Sequence, residues 1–195
     1  MLGADLSGAK LQGANLGNAN LQRANLGYAD LREAELHDAN LLGADLSSAN
    51  LQEAVLNSAN LQGARLMDAN LQGAVLNSAN LQRAYLREAQ LQGTDLYNAK
   101  LQGAVLYNAK LQGAELLGAD LRGIQCNWDY RETIQDAIKN NTGLKTDLSE
   151  ITLYDYEGKK LNLNEDGKKA WFRKHGANVD DLTTGEVQEI FKDFK

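Results

Sequence analysis

The chain has 195 residues, 43% hydrophobic and 24% charged, with no proline, one cysteine and a net charge of −6. Its length suits one large or two small domains, and the composition excludes Pro-rich linkers and an intrachain disulfide framework. No apolar run approaches the roughly 18 residues needed to cross a membrane, and residues 1–123 (12 acids, 9 bases) and 124–195 (14 acids, 11 bases) both lack the basic footprint of a nucleic-acid binder.

From Leu6 to Leu121 every fifth residue is leucine, 24 times without a gap, and alanine stands two positions before each, with Thr94 the one exception. On an α-helix five residues advance about 500°, so such leucines form no stripe. On a strand, residues five apart point to opposite faces. The leucines stay on one side only if the chain turns a corner once per repeat, with Leu and Ala inside and three positions outside. Stacked coils then bury a continuous core and satisfy one another's backbone groups.

The number of sides follows from a second period. Gln follows the leucine at 11, 21, 31 and onward to 121 nine times in twelve, and never follows the leucines between them. A ten-residue pattern stacks like on like only when a coil holds an even number of repeats. Two sides are too flat for a leucine interior, which leaves four sides, 20 residues per coil and six coils. The units "ADLSG", "ANLQR" and "ANLQG" resemble the pentapeptide-repeat proteins. That resemblance spans residues 2–123 and implies an all-β solenoid, a right-handed quadrilateral β-helix. Val55, Arg65, Val75, Tyr85 and Val105 depart from its consensus at the slot before leucine.

At about 4.8 Å per layer, six coils make a rod about 29 Å long. The repeat is already in register at Met1, as in a fragment cut from a longer chain. The first coil opens on Met1 and Leu2 with apolar side chains and unpaired backbone, an edge that invites pairing. Self-association through this N-terminal coil is expected.

The pattern stops at Ile124, and both Trp and all three Phe lie in 124–195. That stretch reads as a small, mainly helical α+β domain, a capping or interaction module. Tyr130, Ile134 and Ile138 stand at helical spacing behind a capping box of Asp129 and Glu132. "ITLYDYEGKKLNL" offers two β-prone runs around a turn, most simply a hairpin. Helices are also expected after Asn164 and after Thr183, the latter with Val187, Ile190, Phe191 and Phe194 on one face.

Chemistry-bearing constellations are sparse. His37 falls on an outward slot and His175 near a helix end, both read as solvated surface groups. Cys126 reads as a packed small hydrophobe. The glycines of "LQGA" belong at corners. Asn162–Gly167, "NLNEDG", fits the first half of a calcium loop, but Arg173 stands where its closing Glu belongs, so Asn164 is read as a helix cap. No catalytic residue, metal ligand or cofactor site is expected.

The outward slots carry the remaining signal. Arg65, Met67, Tyr85, Arg87, Val105 and Tyr107 stack on one face and are residue types common in interface cores. Val55, Val75, Tyr97 and Leu117 stack on the opposite one. The rows Gln52, Gln72, Gln92, Gln112 and Asn20, Asn40, Asn60, Asn80 suit amide ladders along the axis.

Three functions are consistent with these features. A non-enzymatic cytoplasmic scaffold for an unknown protein partner accounts for most of them. The resemblance also implies a DNA-mimic modulator of DNA gyrase, as in the quinolone-resistance branch of that family. Duplex DNA about 29 Å long carries roughly 17 negative charges, whereas the repeat region nets −3 and bears Arg23, Arg83 and Arg122 among others. An unrecognised enzyme or ligand-binding module in 124–195 is the third.

Overall fold

The computed structural model describes residues 2–127 and 152–154. Each residue preceding a leucine bridges, in parallel, the residue twenty positions later, in unbroken series from Asp5↔Asn25 to Val105↔Gln125. Twenty residues per coil at five per side make a four-sided solenoid. Its ladder runs past the last repeat, for Gln125–Asn127 (β1) pairs in parallel with Thr152–Tyr154 (β2) in the register Gln125↔Thr152.

Five residues must place five backbone N–H groups, and the coil places each one differently. Leu6 N–H donates to the Asn25 carbonyl of the next coil at 2.7 Å, and Gly8 N–H to that of Gly27 at 2.8 Å. Asn25 N–H donates back to Ala4 at 2.9 Å, while Ala9 N–H closes the corner onto the Leu6 carbonyl at 3.0 Å. The fifth group, on the residue after leucine, finds no carbonyl. Ser7 N–H instead donates to Oδ1 of Asp5 at 3.1 Å. Every Asp or Asn in the slot before leucine, thirteen of them, accepts the same local bond. This Asx geometry gives the Asp/Asn–Leu pair a physical reason.

The corner residue two after leucine is left-handed throughout, with φ of +64° at Gly63 and +66° at Gly73. Glycine accepts that region at no steric cost. Arg23, Tyr28 and Ser58 hold it at +55°, +58° and +57°, so four backbone bonds per side are enough to impose the turn on other residues.

Inside, leucine and alanine are essentially inaccessible from Leu21 to the upper coils, whereas Leu6, Leu11, Leu16 and the alanines of the first coil are partly open. Alanine lies where the corner folds inward. Thr94 takes that slot without an unmet hydroxyl, because Oγ1 donates to the Leu71 carbonyl at 3.0 Å. At the far end Ile124 and Cys126 are buried, and burial pushes the Cys126 thiol up to about 12, so it packs as a hydrophobe.

The β-prone run expected to open a hairpin does form a strand at Thr152–Tyr154. Its pairing is a parallel one on the end of the solenoid, because the last coil leaves a free edge that a strand can saturate. The run after it, the three expected helices, the calcium-loop-like segment, Arg173 and His175 lie outside the described residues.

Stability should vary with position along the rod. Leu56→Ala, deep in the stack, is expected to lose about 2–5 kcal/mol in urea unfolding. Leu6→Ala, on the open coil, should lose well under half as much. Equal losses would mean that the first coil is as enclosed as the third.

Candidate binding surface

The register assigns every outward side chain to a face. The first face stacks Asp5, Asn25, Asp45, Arg65, Tyr85 and Val105; the second starts at Lys10, the third at Asn15 and the fourth at Asn20. The six residues Arg65, Met67, Tyr85, Arg87, Val105 and Tyr107 come together on the upper half of the first face. Arg65, Tyr85 and Arg87 are exposed, Tyr85 by 49%, while Met67, Val105 and Tyr107 are half-buried. Arg65 reaches Asp45 at 3.6 Å, Arg87 reaches Glu88 at 3.2 Å, and Tyr107 Oη lies 3.4 Å from Gln125 Oε1.

This patch coincides with a change in backbone economy. Asp5, Asn25 and Asp45 each hold the N–H of the residue two ahead, but Arg65, Tyr85 and Val105 have no oxygen to do so. Three successive coils forgo the local bond and present large side chains in its place. The third face shows a similar lapse at Glu35, Val55 and Val75. Above them Tyr97 and Leu117 are exposed, and Oδ1 of Asn57 and of Asn77 is buried without a hydrogen-bond partner.

Charge is also sorted by face. With each corner counted with the face before it, the third face holds Glu35, Asp38, Asp95 and Glu115 and neither Lys nor Arg. The fourth holds Arg23, Arg83, Lys100 and Arg122 against Asp120 alone. On the fourth face Arg122 grips Asp120 at 2.6 Å, and on the second Arg32 grips Asp30 at 2.6 Å. Both carboxyls sit below their ordinary range, chiefly through the arginine hydrogen bond. Burial pushes Asp45 up, but the Ser47 hydroxyl and N–H, with Arg65, outweigh it and leave the carboxyl lowered.

His37 is not the solvated group expected from its outward slot. It is buried, with its ring over Gly17 of the coil below, where a Cβ would meet Cε1 at 2.4 Å. The bare glycine makes the hollow. The amide rows divide. Asn80 donates to Asn60 at 3.3 Å and Asn60 to Asn40 at 3.5 Å, a ladder on the fourth face. Gln52 donates to Gln72 at 3.3 Å, yet Oε1 of Gln92 and of Gln112 is buried without a partner. Tyr28 is 75% exposed at a left-handed corner of the first face, a position that no sequence pattern marks. Among the described residues no His, Cys, Asp or Glu cluster could hold a metal, and no helix is long and apolar enough to cross a membrane.

Eight copies of the model for pentapeptide repeats match the chain, over residues 1–38, 34–73, 64–103 and 89–124. The chain belongs to the pentapeptide-repeat family. Solved members share its right-handed β-helical solenoid, and three of them illustrate the range. A pentapeptide repeat protein from the thylakoid lumen of Arabidopsis thaliana is 30% identical, with a TM-score of 0.54 over 58% of this chain and 81% of its own. HetL, involved in heterocyst differentiation regulation in the cyanobacterium Nostoc sp. strain PCC 7120, is 29% identical, with a TM-score of 0.43 over 83% of this chain and 89% of its own. A trypsin-treated variant of QnrB1, a plasmid-mediated fluoroquinolone resistance protein, is 17% identical, with a TM-score of 0.39 over 80% and 90%. Among curated proteins there is no match.

The lowered carboxyls set an acid limit on this pentapeptide-repeat stack. A carboxyl depressed in the folded state contributes stability above its unfolded pKa, about 3.9 for Asp, and loses it as pH falls through the folded value. Melting temperature should therefore fall as pH drops below about 4. Asp30→Asn/Asp120→Asn, which keeps both local N–H acceptors, should melt lower at pH 7 and depend less on pH in that window. A pH profile parallel to that of the unaltered protein would remove the ion pairs from the account.

Proposed function

We propose that the chain is a non-enzymatic binding scaffold whose upper first face, from Arg65 to Tyr107, receives a protein partner. One observation carries the reading. Three consecutive coils on that face replace the residue that secures the local backbone bond with Arg, Tyr and Val. A slot released from its structural duty and filled with large side chains on a rigid, flat wall offers preorganised contact area. Arg and Tyr are residue types that dominate binding energy when a partner desolvates them.

Gyrase modulation by DNA mimicry has weaker support. The third face is the most acidic, yet its four carboxylates stand against roughly 17 phosphates on the same length of duplex. The fourth face is basic. Alternating signs around one rod do not reproduce a polyanion.

The test is a quantitative pull-down from the native cell with the full chain as bait. Tyr85→Ser/Arg87→Ser should reduce capture of the specific partner about tenfold or more, with the melting temperature nearly unchanged. Gln62→Ser/Gln82→Ser, on the fourth face, should leave capture intact. Equal capture by both variants would defeat the assignment to the first face.

A further inference from the structure

Two adjacent walls of the column carry opposite charge. The third face holds Glu35, Asp38, Asp95 and Glu115, and the fourth holds Arg23, Arg83, Lys100 and Arg122 against Asp120. Asp95 and Lys100 belong to one coil and sit in the ladder slots of these two faces, bridged to Val75 and Asn80 below. The corner that the faces share carries the exposed Tyr97 and Leu117. An apolar edge between an acidic and a basic wall suits a contact that engages both walls at once.

We infer that the chain assembles as a ring of four parallel copies, the third face of each lying against the fourth face of the next. Adjacent faces of a square section stand at about 90°, so this head-to-tail contact, repeated about an axis along the rods, closes at the fourth copy. The same two faces set antiparallel are related by a two-fold screw, which adds copies without end. The closed arrangement has no axial shift, and each coil therefore meets its own counterpart.

The heights then match. Twenty residues climb one layer of about 4.8 Å, so the five from Asp95 to Lys100 climb about 1.2 Å. Asp95 of one copy meets Lys100 of the next in mid-face. At the outer edge, the corner residue Arg23 meets the corner residue Glu33, about 2.4 Å higher. Arg83 lies over the corners of Gly73 and Gly93, where no side chain obstructs it. Near the axis the corner column is short at Ser58, Ser78 and Gly118, which admits four rods, and above it Tyr97 and Leu117 of all four copies leave water together. Opposite charges across a pair stabilise it and like charges oppose it. Two encounters run against the ring: Glu115 faces Asp120, whose carboxylate Arg122 grips at 2.6 Å, and four copies of Asp38 meet near the axis. The first and second faces remain outermost, so the ring and the first-face binding surface stand or fall separately.

Sedimentation equilibrium of the full chain tests the ring. The unaltered protein should reach a limit of four times 21.3 kDa as concentration rises. Asp95→Lys or Lys100→Asp alone sets like charges across every contact and should raise the dissociation constant about tenfold or more. Asp95→Lys/Lys100→Asp together should restore it to within about threefold. Asp38→Asn, which clears the like charges from the axis, should tighten the assembly about threefold. Circular dichroism melting checks that each variant folds. A monomer at every concentration, a limit of two copies, growth past four, a double reversal as weak as the single ones, or a weaker assembly of Asp38→Asn would each overturn the proposal.

Discussion

Everything in this solenoid depends on one allocation: the residue before each leucine hands both of its main-chain groups to the coil below. Leucine N–H points the other way, as Leu6 does to Asn25, so each coil holds its two neighbours by different residues. Alanine N–H stays within the coil and closes the corner. Once these are fixed, the leucine side chain has no direction left but inward. Hydrophobic burial and hydrogen bonding then select the same conformation, which is the consistency that makes a sequence specify one structure.

That allocation leaves the exterior nearly independent of the fold. Of the three outward positions, the first is used structurally only when it is Asn or Asp, and the other two carry corner geometry with little demand on side-chain type. Lys100, Tyr85, Val75 and Glu115 occupy equivalent slots without disturbing the bridges beneath them. A wall of this kind admits substitution coil by coil, each step moving the surface by one layer. Binding character can therefore change without a cost to the core, and the faces of one rod can diverge from each other. The net charge of −6 hides such a divergence, because the acidic third face and basic fourth face share an edge. A partner that tolerates one would be repelled by the other, which fixes its azimuth around the rod as well as its height.

The sequence made the column legible because its determinants are local and periodic. Leucine every five residues required a corner, and the alternation of Gln required an even number of sides; the bridge from Asp5 to Asn25 realises both. The role of Asn and Asp as local acceptors was visible only as a consensus letter, since the need for it appears once four of five N–H groups have been assigned. The burial of His37 has no local signal, because its environment is set by Gly17, twenty residues earlier, and an outward slot over glycine is a hollow. The parallel docking of Thr152–Tyr154 had no periodic signal at all. It depends on an edge that exists only after the coils have stacked. The grouping of Arg65, Tyr85 and Val105 on one face, by contrast, followed from the period alone, whereas their shared loss of the local acceptor required the hydrogen bonds.

In a one-dimensional stack each coil is stabilised by its neighbours, so an interior coil has two interfaces and a terminal coil one. The upper terminus is supplemented by β2, while the lower terminus shows leucines only partly enclosed. Among the described coils the first is the least enclosed, and low contact density marks the part of a fold that opens first. Opening of that coil releases the N–H and C=O of Asn25 and Asp30, which it holds through Ala4, Leu6, Ala9 and Leu11. Anything that pairs with the first coil therefore stabilises the coils above it in sequence, and its effect decays along the rod. The first-face patch begins at Arg65, three coils above Asp5. At that distance the wall around Arg65 and Tyr85 keeps its shape when the first coil opens, because each coil is held by its immediate neighbours.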